Sequence, residues 1–275
     1  MKQQIIGMAA LGLMSALNAA HAVEVQIEFT NLTRGMSFTP RLLVAHNENI
    51  DLFEPGTAPT ERLAWMAEAG VIVDAQNPAG VGSNFESFLN SPENADNNAF
   101  QGFGLSAPPH GPASTRNYTF DTEDFPLLSL VTMLIPTNDA FAGLDSWRIP
   151  TEPGTYSVTL NAYDAGSEAN DEISSLRTDV VEEGTGLALG GYALPGMAGS
   201  GNPNAVGELA VGDGGTGVAI QITNGTLADE REGIVHIHRN VLGDTDPNGG
   251  ISDLDSRVHR WLNPVARLTI TIPAQ

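Results

Sequence analysis

Two groups of carboxylates follow the chain's two most regular apolar stretches. Thr137-Asn138-Asp139 comes after Leu127 to Ile135. Asp164-Ala165-Gly166-Ser167-Glu168 comes after Thr155 to Tyr163, with Asp171 and Glu172 close behind. Carboxylates gathered on neighbouring loops repel one another unless a cation lies between them, and hard oxygen donors favour calcium. That chemistry requires the two preceding strands to point the same way, so that their C-terminal loops meet at one end of the fold. A third acidic stretch, Asp244 to Asp255 (DTDPNGGISDLD), fits the D-x-[DN]-x-[DN]-G pattern of an EF-hand loop. Asp255 stands where that loop usually ends in Glu, and Pro247 restricts the backbone. The residues before it read as a strand and not a helix. It is read as a turn-rich connection.

The histidines offer a different chemistry. His236 and His238 are two apart on an expected strand, Ile234 to Val241, so both emerge on one face. That spacing serves zinc or copper, with His46, His110 or His259 as sources of a third ligand. The plainer reading places both on a polar strand face with Val235 and Ile237 inward. No H-E-x-x-H or G-x-S-x-G motif accompanies them. Gly212 to Gly217 lacks the lysine of a phosphate-binding loop.

The composition limits what such groups can serve. In 275 residues there are 12 basic and 33 acidic side chains, a net charge of −21, which excludes nucleic acid as an expected partner. There is no cysteine, so disulfides, thiolate nucleophiles and iron–sulfur clusters are excluded. Lys2 is the only lysine. It opens a short positive start, followed by the apolar run Ile5 to Leu17 and the A-x-A end Ala20-His21-Ala22. This pattern predicts a secretory signal peptide over 1–22, a mature start at Val23 and a secreted or periplasmic protein. No later stretch reaches the roughly 18 apolar residues of a membrane span.

The elements that must position the candidate groups read as strands. Val23 to Phe29 alternates strictly between apolar and polar residues. Ser37 to His46 is a second strand, restricted by Pro40. Pro59, the shared face of Leu63, Met66 and Ala67, and Gly70 predict one helix with a glycine cap. Residues 77–116, rich in Gly, Asn, Ser and Pro, read as loop. Leu127 to Ile135 reads as a strand buried on both faces. In Thr155 to Tyr163, Tyr156, Val158, Leu160 and Ala162 face one way. Between Gly184 and Gly215 there are 11 glycines in 32 residues, a flexible excursion. Gly217 to Thr223, ended by an Asn224-Gly225 turn, and Val265 to Ile272 complete the strands. The expectation is an all-β, antiparallel β-sandwich with one short helix, a single domain over 23–275.

Three segments carry a resemblance to a known family. VTMLIPTNDAFAG (131–143), NAYDAGSEAND (161–171) and NPVARLTI (263–270) resemble the spondin N-terminal domain, found in F-spondin and in secreted bacterial proteins. SFTPRLLVAHN (37–47) resembles bacterial members near their start. The resemblance implies a sandwich similar to calcium-dependent lipid-binding domains, with one calcium held by loop carboxylates. Residue by residue it implies Asp139, Asp164 and Glu168 as the metal ligands. The chain departs from the pattern at Ala140, where the family has tryptophan, at Asn138, where it has proline, and at Glu168, where it has aspartate.

The expected function is therefore a secreted, non-catalytic, calcium-binding module that attaches to a protein, glycan or lipid surface ligand. Two alternatives are a metal-dependent hydrolase using His236 and His238, and a structural component of a matrix or surface layer.

Overall fold

The computed structural model describes residues 24–73, 84–94, 99–103, 110–135, 137–167, 220–223, 226–229, 232–240, 254 and 256–274. The expected signal peptide, Glu168, the stretch 184–215 and all of the EF-hand-like segment except Leu254 lie outside them.

The chain is all-β and antiparallel. Its strands are β1 (Glu24–Asn31), β2 (Ser37–Phe38), β3 (Arg41–His46), β4 (Ala99–Phe103), β5 (Thr115–Asp121), β6 (Leu127–Ile135), β7 (Ala140–Arg148), β8 (Gly154–Asp164), β9 (Ile220–Thr223), β10 (Thr226–Asp229), β11 (His236–Ile237) and β12 (Ala266–Ile272). Two helices, α1 (Glu61–Ala69) and α2 (Phe85–Leu89), lie between β3 and β4 in sequence. One curled sheet runs in the order β4-β3-β6-β7-β8-β12-β1-β5, with β2 beside β6 and β11 beside β8; β9 and β10 form a separate hairpin.

The curl gives the sheet an inner face that forms the main core. Val25, Ile27 and Phe29 of β1 meet Leu268 and Ile270 of β12, Leu160 and Ala162 of β8, and Leu128 and Leu130 of β6. The strict alternation of β1 and β12 follows, because only one face of those strands is covered. The outer face divides in two. Over β3, β6 and β7 it is apolar, and Leu42, Val44, Val131 and Met133 are covered by Leu63, Met66 and Ala67 of α1 and by Phe85 and Leu89 of α2. Because β6 is sandwiched by both cores, all nine of its residues are buried and it reads as an unbroken apolar run. Over β8, β12, β1 and β5 the outer face is solvated and rich in hydroxyls and amides. Thr155, Ser157 and Thr159 stand beside Thr271, Thr269 and Arg267, and these beside Gln26, Glu28 and Thr30.

The expected helix is present. The Thr60 hydroxyl accepts the Leu63 N–H, and Gly70, left-handed at φ 65°, donates its N–H to the Met66 carbonyl. Several expectations need correction. Residues 77–116 hold α2, β4 and the start of β5, where loop was expected. The described residues hold two short helices where one was expected. Thr39-Pro40 divides the expected strand 37–46 into β2 and β3. β7 runs through Ala140 to Arg148, a stretch not anticipated as a strand. Among the described residues, no helix is long and apolar enough to cross a membrane.

One cation ties the two halves of the curled sheet together. Arg41, only 2% exposed, projects inward from β3 with its guanidinium 4.8 Å from the Phe29 ring and 5.1 Å from the Tyr118 ring. It donates to the Tyr118 hydroxyl and, over 3.1 Å, to His110 Nδ1. Burial lowers the pKa of Arg41 to about 10. Burial, and secondarily the Arg41 charge, lowers that of His110 to about 4. His110 therefore takes up a proton more readily in the unfolded chain than in the folded one. Its contribution to stability is complete above its ordinary pKa of 6.5 and is lost as pH falls from there towards 4. Urea unfolding at pH 7 and at pH 4.5 should show a loss of about 2 kcal/mol attributable to His110. The His110→Gln variant should lose correspondingly less over the same interval.

Candidate metal centre

The condition set by the sequence is met. β6 and β8 both pair antiparallel with β7, so they run in the same direction and end at the same edge. A tight turn joins β6 to β7. The Thr137 hydroxyl donates to the Leu134 carbonyl over 2.7 Å and accepts the Ala140 N–H over 3.1 Å. Asp139 thereby stands immediately before β7, whose first residue, Ala140, pairs with Asp164 at the end of β8. Both carboxylates are buried, Asp139 at 0% and Asp164 at 1% exposure.

Backbone donors hold the loop after β8 against these carboxylates. Asp164 Oδ1 accepts the Gly166 N–H over 2.7 Å, and Asp139 Oδ2 accepts the Ser167 N–H over 2.9 Å. The Asp139 carbonyl also accepts the Ala165 N–H. A later segment then docks on this loop. Gly233 N–H donates to the Gly166 carbonyl, Val235 exchanges backbone hydrogen bonds with Gly56 and Thr57, and His236 pairs with Asp164 as the first residue of β11. Gly166 is indispensable to that docking. Its φ is +69°, and a Cβ there would lie 2.3 Å from the Ile234 carbonyl oxygen.

The outcome is a mixed donor set. One carboxylate oxygen each from Asp164 and Glu232 and one ring nitrogen of His236 all lie within 4.8 Å of one another. His236 Nε2 is 3.7 Å and His238 Nε2 3.9 Å from Asp164 Oδ2. His238 is 4% exposed and its ring lies 5.1 Å from that of Trp261. Glu232 also lies 3.9 Å from the exposed guanidinium of Arg239.

The three residues carried over from the spondin resemblance divide as follows. Asp164 belongs to the donor set. Asp139 stands beside it and clamps Ser167, without being one of the three grouped donors. Glu168 lies outside the described residues. The two histidines converge on the same carboxylate as the loop acids, so the two chemistries that the sequence keeps apart occupy one place. Their expected orientation is corrected. Val235 is buried, but Ile237 is 46% exposed and the histidines face inward. Glu232 was missed. It lies outside any strand, beside the left-handed Gly233, and its only sequence signal is its position four residues before His236.

His46 and His110 are held elsewhere. His110 contacts Arg41, and His46, fully buried, has Nε2 2.7 Å from the Ser129 hydroxyl, which lies 3.3 Å from Asp145 Oδ1. Burial lowers the His46 pKa and raises that of Asp145. The contacts run Asp–Ser–His, with serine in the middle. A nucleophilic triad has histidine between the other two, so the order here is not that of a triad, and Ser129 is fully buried. Asp145 also borders an open cleft of about 380 Å³, with Asp51, Glu54, Phe53, Asn161 and Tyr163.

Gly166→Ala should cost about 1–3 kcal/mol in a thermal or urea melt, because a left-handed backbone and a backbone clash coincide there. Gly56→Ala is the control. Gly56 also has a positive φ, but nothing lies within 4 Å of its would-be Cβ, so it carries the conformational cost without the clash.

No protein-family model matches the chain, and a search of curated proteins finds no match, so the likeness to the spondin N-terminal domain rests on the quoted segments alone.

Proposed function

We propose that the chain is an exported, non-catalytic binding module in which a divalent cation orders the end of the sheet where β6 and β8 finish. The observation that supports this most directly is the donor set of Asp164, Glu232 and His236, whose ligating atoms lie within 4.8 Å of one another. A buried carboxylate beside a second carboxylate is costly without a neutralising charge. An extracytoplasmic chain without cysteine has no covalent brace, which gives a bound ion a structural task. The solvated outer face of β8, β12, β1 and β5 is the surface left for a protein, glycan or lipid ligand. The spondin resemblance implies calcium as the ion, and a sandwich as the arrangement of the sheet.

A second reading, a metal-dependent hydrolase, is favoured by the presence of His236 in the same donor set, since one imidazole and two carboxylates also suit a catalytic ion. Turnover of simple ester or phosphoester substrates that needs added metal and disappears in His236→Ala would select it.

The binding-module reading predicts that a cation binding only the folded chain raises stability by about 2.7 kcal/mol at a hundredfold excess over its dissociation constant. Asp164→Asn should therefore lower the melting temperature substantially in calcium or zinc and much less in chelator. Equal losses in both conditions would sink the reading.

A further inference from the structure

The hydrogen bonds around the two histidines use their Nδ1 atoms in opposite ways, and that difference bears on which ion the site takes. His236 Nδ1 lies 2.9 Å from the Ile237 carbonyl oxygen, which can only accept, so Nδ1 carries the hydrogen. In the neutral ring, Nε2 is then a bare lone pair. That atom is buried, makes no hydrogen bond and faces Asp164 Oδ2 at 3.7 Å, one electron-pair donor against another. His238 is the reverse. Its Nδ1 accepts the Asn240 N–H over 3.0 Å, so its Nε2 carries the hydrogen, and Nε2 is the nitrogen nearer Asp164 Oδ2, at 3.9 Å.

From this we infer that the site selects a zinc-class ion over calcium, with Asp164, Glu232 and His236 as ligands and His238 as a positioning residue. The inference rests on the reading that a cation occupies this end of the sheet, and departs from it in the identity of the ion. A proton on His236 Nε2 would reconcile one pair of atoms. A metal ion reconciles three donors at once, because the Glu232 oxygen lies in the same 4.8 Å group. Neutral imidazole suits zinc, cobalt, nickel and copper, whereas calcium takes six to eight oxygens. His238 cannot ligate through Nε2 in its assigned form. It turns its Nε2–H towards the ligating carboxylate at 3.9 Å, longer than a hydrogen bond and close enough to favour the carboxylate's negative charge. The sequence spacing suggests His236 and His238 as paired ligands; the hydrogen bonds separate their roles.

The test is equilibrium dialysis of chelator-stripped chain against zinc alone, calcium alone and zinc with a tenfold excess of calcium, with the bound metal analysed. Cobalt(II) substitution provides a visible spectrum that reports on the ligands. One zinc per chain, undisplaced by calcium and lost in His236→Ala, is the expected result. His238→Gln should keep the cobalt spectrum while weakening affinity about 10–100-fold. Zinc retained in His236→Ala overturns the ligand assignment. Calcium bound at one per chain and not displaced by zinc overturns the inference while leaving the cation-ordered module intact. No binding of either ion overturns both. Should His236→Ala fail to fold, the wild-type chain decides: calcium displacing cobalt at equal concentration sinks the inference, and cobalt retained supports it.

Discussion

A carboxylate removed from water carries a penalty of several kcal/mol unless donors or an opposite charge surround it. Asp164 is 1% exposed at the end of β8, and the local architecture can be understood as an answer to that one penalty. The Gly166 N–H reaches one of its oxygens, and both histidines of the β11 segment turn towards the other. Asp139, fully buried on the neighbouring turn, holds Ser167 and so fixes the loop that makes this possible. The glycine at 166 allows the segment carrying Glu232 and His236 to approach within backbone contact. Acidic side chains, a left-handed glycine and a two-residue strand thus form one mechanical unit.

The same logic appears with opposite sign on the inner face. Arg41 is a buried cation whose described contacts are two aromatic rings, a phenolic hydroxyl and a neutral imidazole. It fastens β3 to β1 and β5 across the curl, where apolar packing alone would leave the registration of the two halves loosely defined. The protein places one buried charge where the sheet closes on itself and another where its strand ends gather.

What could be read from the sequence depended on how completely each strand is covered. β6 was visible because two cores enclose it, and β1, β8 and β12 because one face is covered and the other wet. β7 escaped notice. Its first half, Ala140 to Gly143, is buried and, Phe141 apart, small, with Gly143 leaving room for the Phe53 ring, and its second half is partly exposed and lacks β-branched residues. β5 escaped because only Phe120 along it is buried. At the site, Asp139 and Asp164 were legible because strand-end carboxylates stand out against apolar runs. Glu232 and the inward turn of His236 and His238 were not. They depend on backbone bonds between residues 166 and 233 and between 56 and 235, pairings that no local pattern encodes. The different contacts of the two Nδ1 atoms are set by the Ile237 carbonyl and the Asn240 N–H, neighbours whose roles are likewise invisible to spacing.

The position of β1 governs the order in which the molecule can assemble. This strand, the first described in the chain, is flanked by β5 and by β12, the last described, with Gln26 opposite Thr271 and Asn31 opposite Ala266. β8 is likewise joined to β1 only through β12. Until residues 266–272 arrive, the sheet is two fragments, each ending in an unsatisfied row of backbone donors and acceptors. Closure over so long a separation in sequence is intrinsically slow. Because the first and last described strands are partners, the sheet cannot close until everything between them has been synthesised.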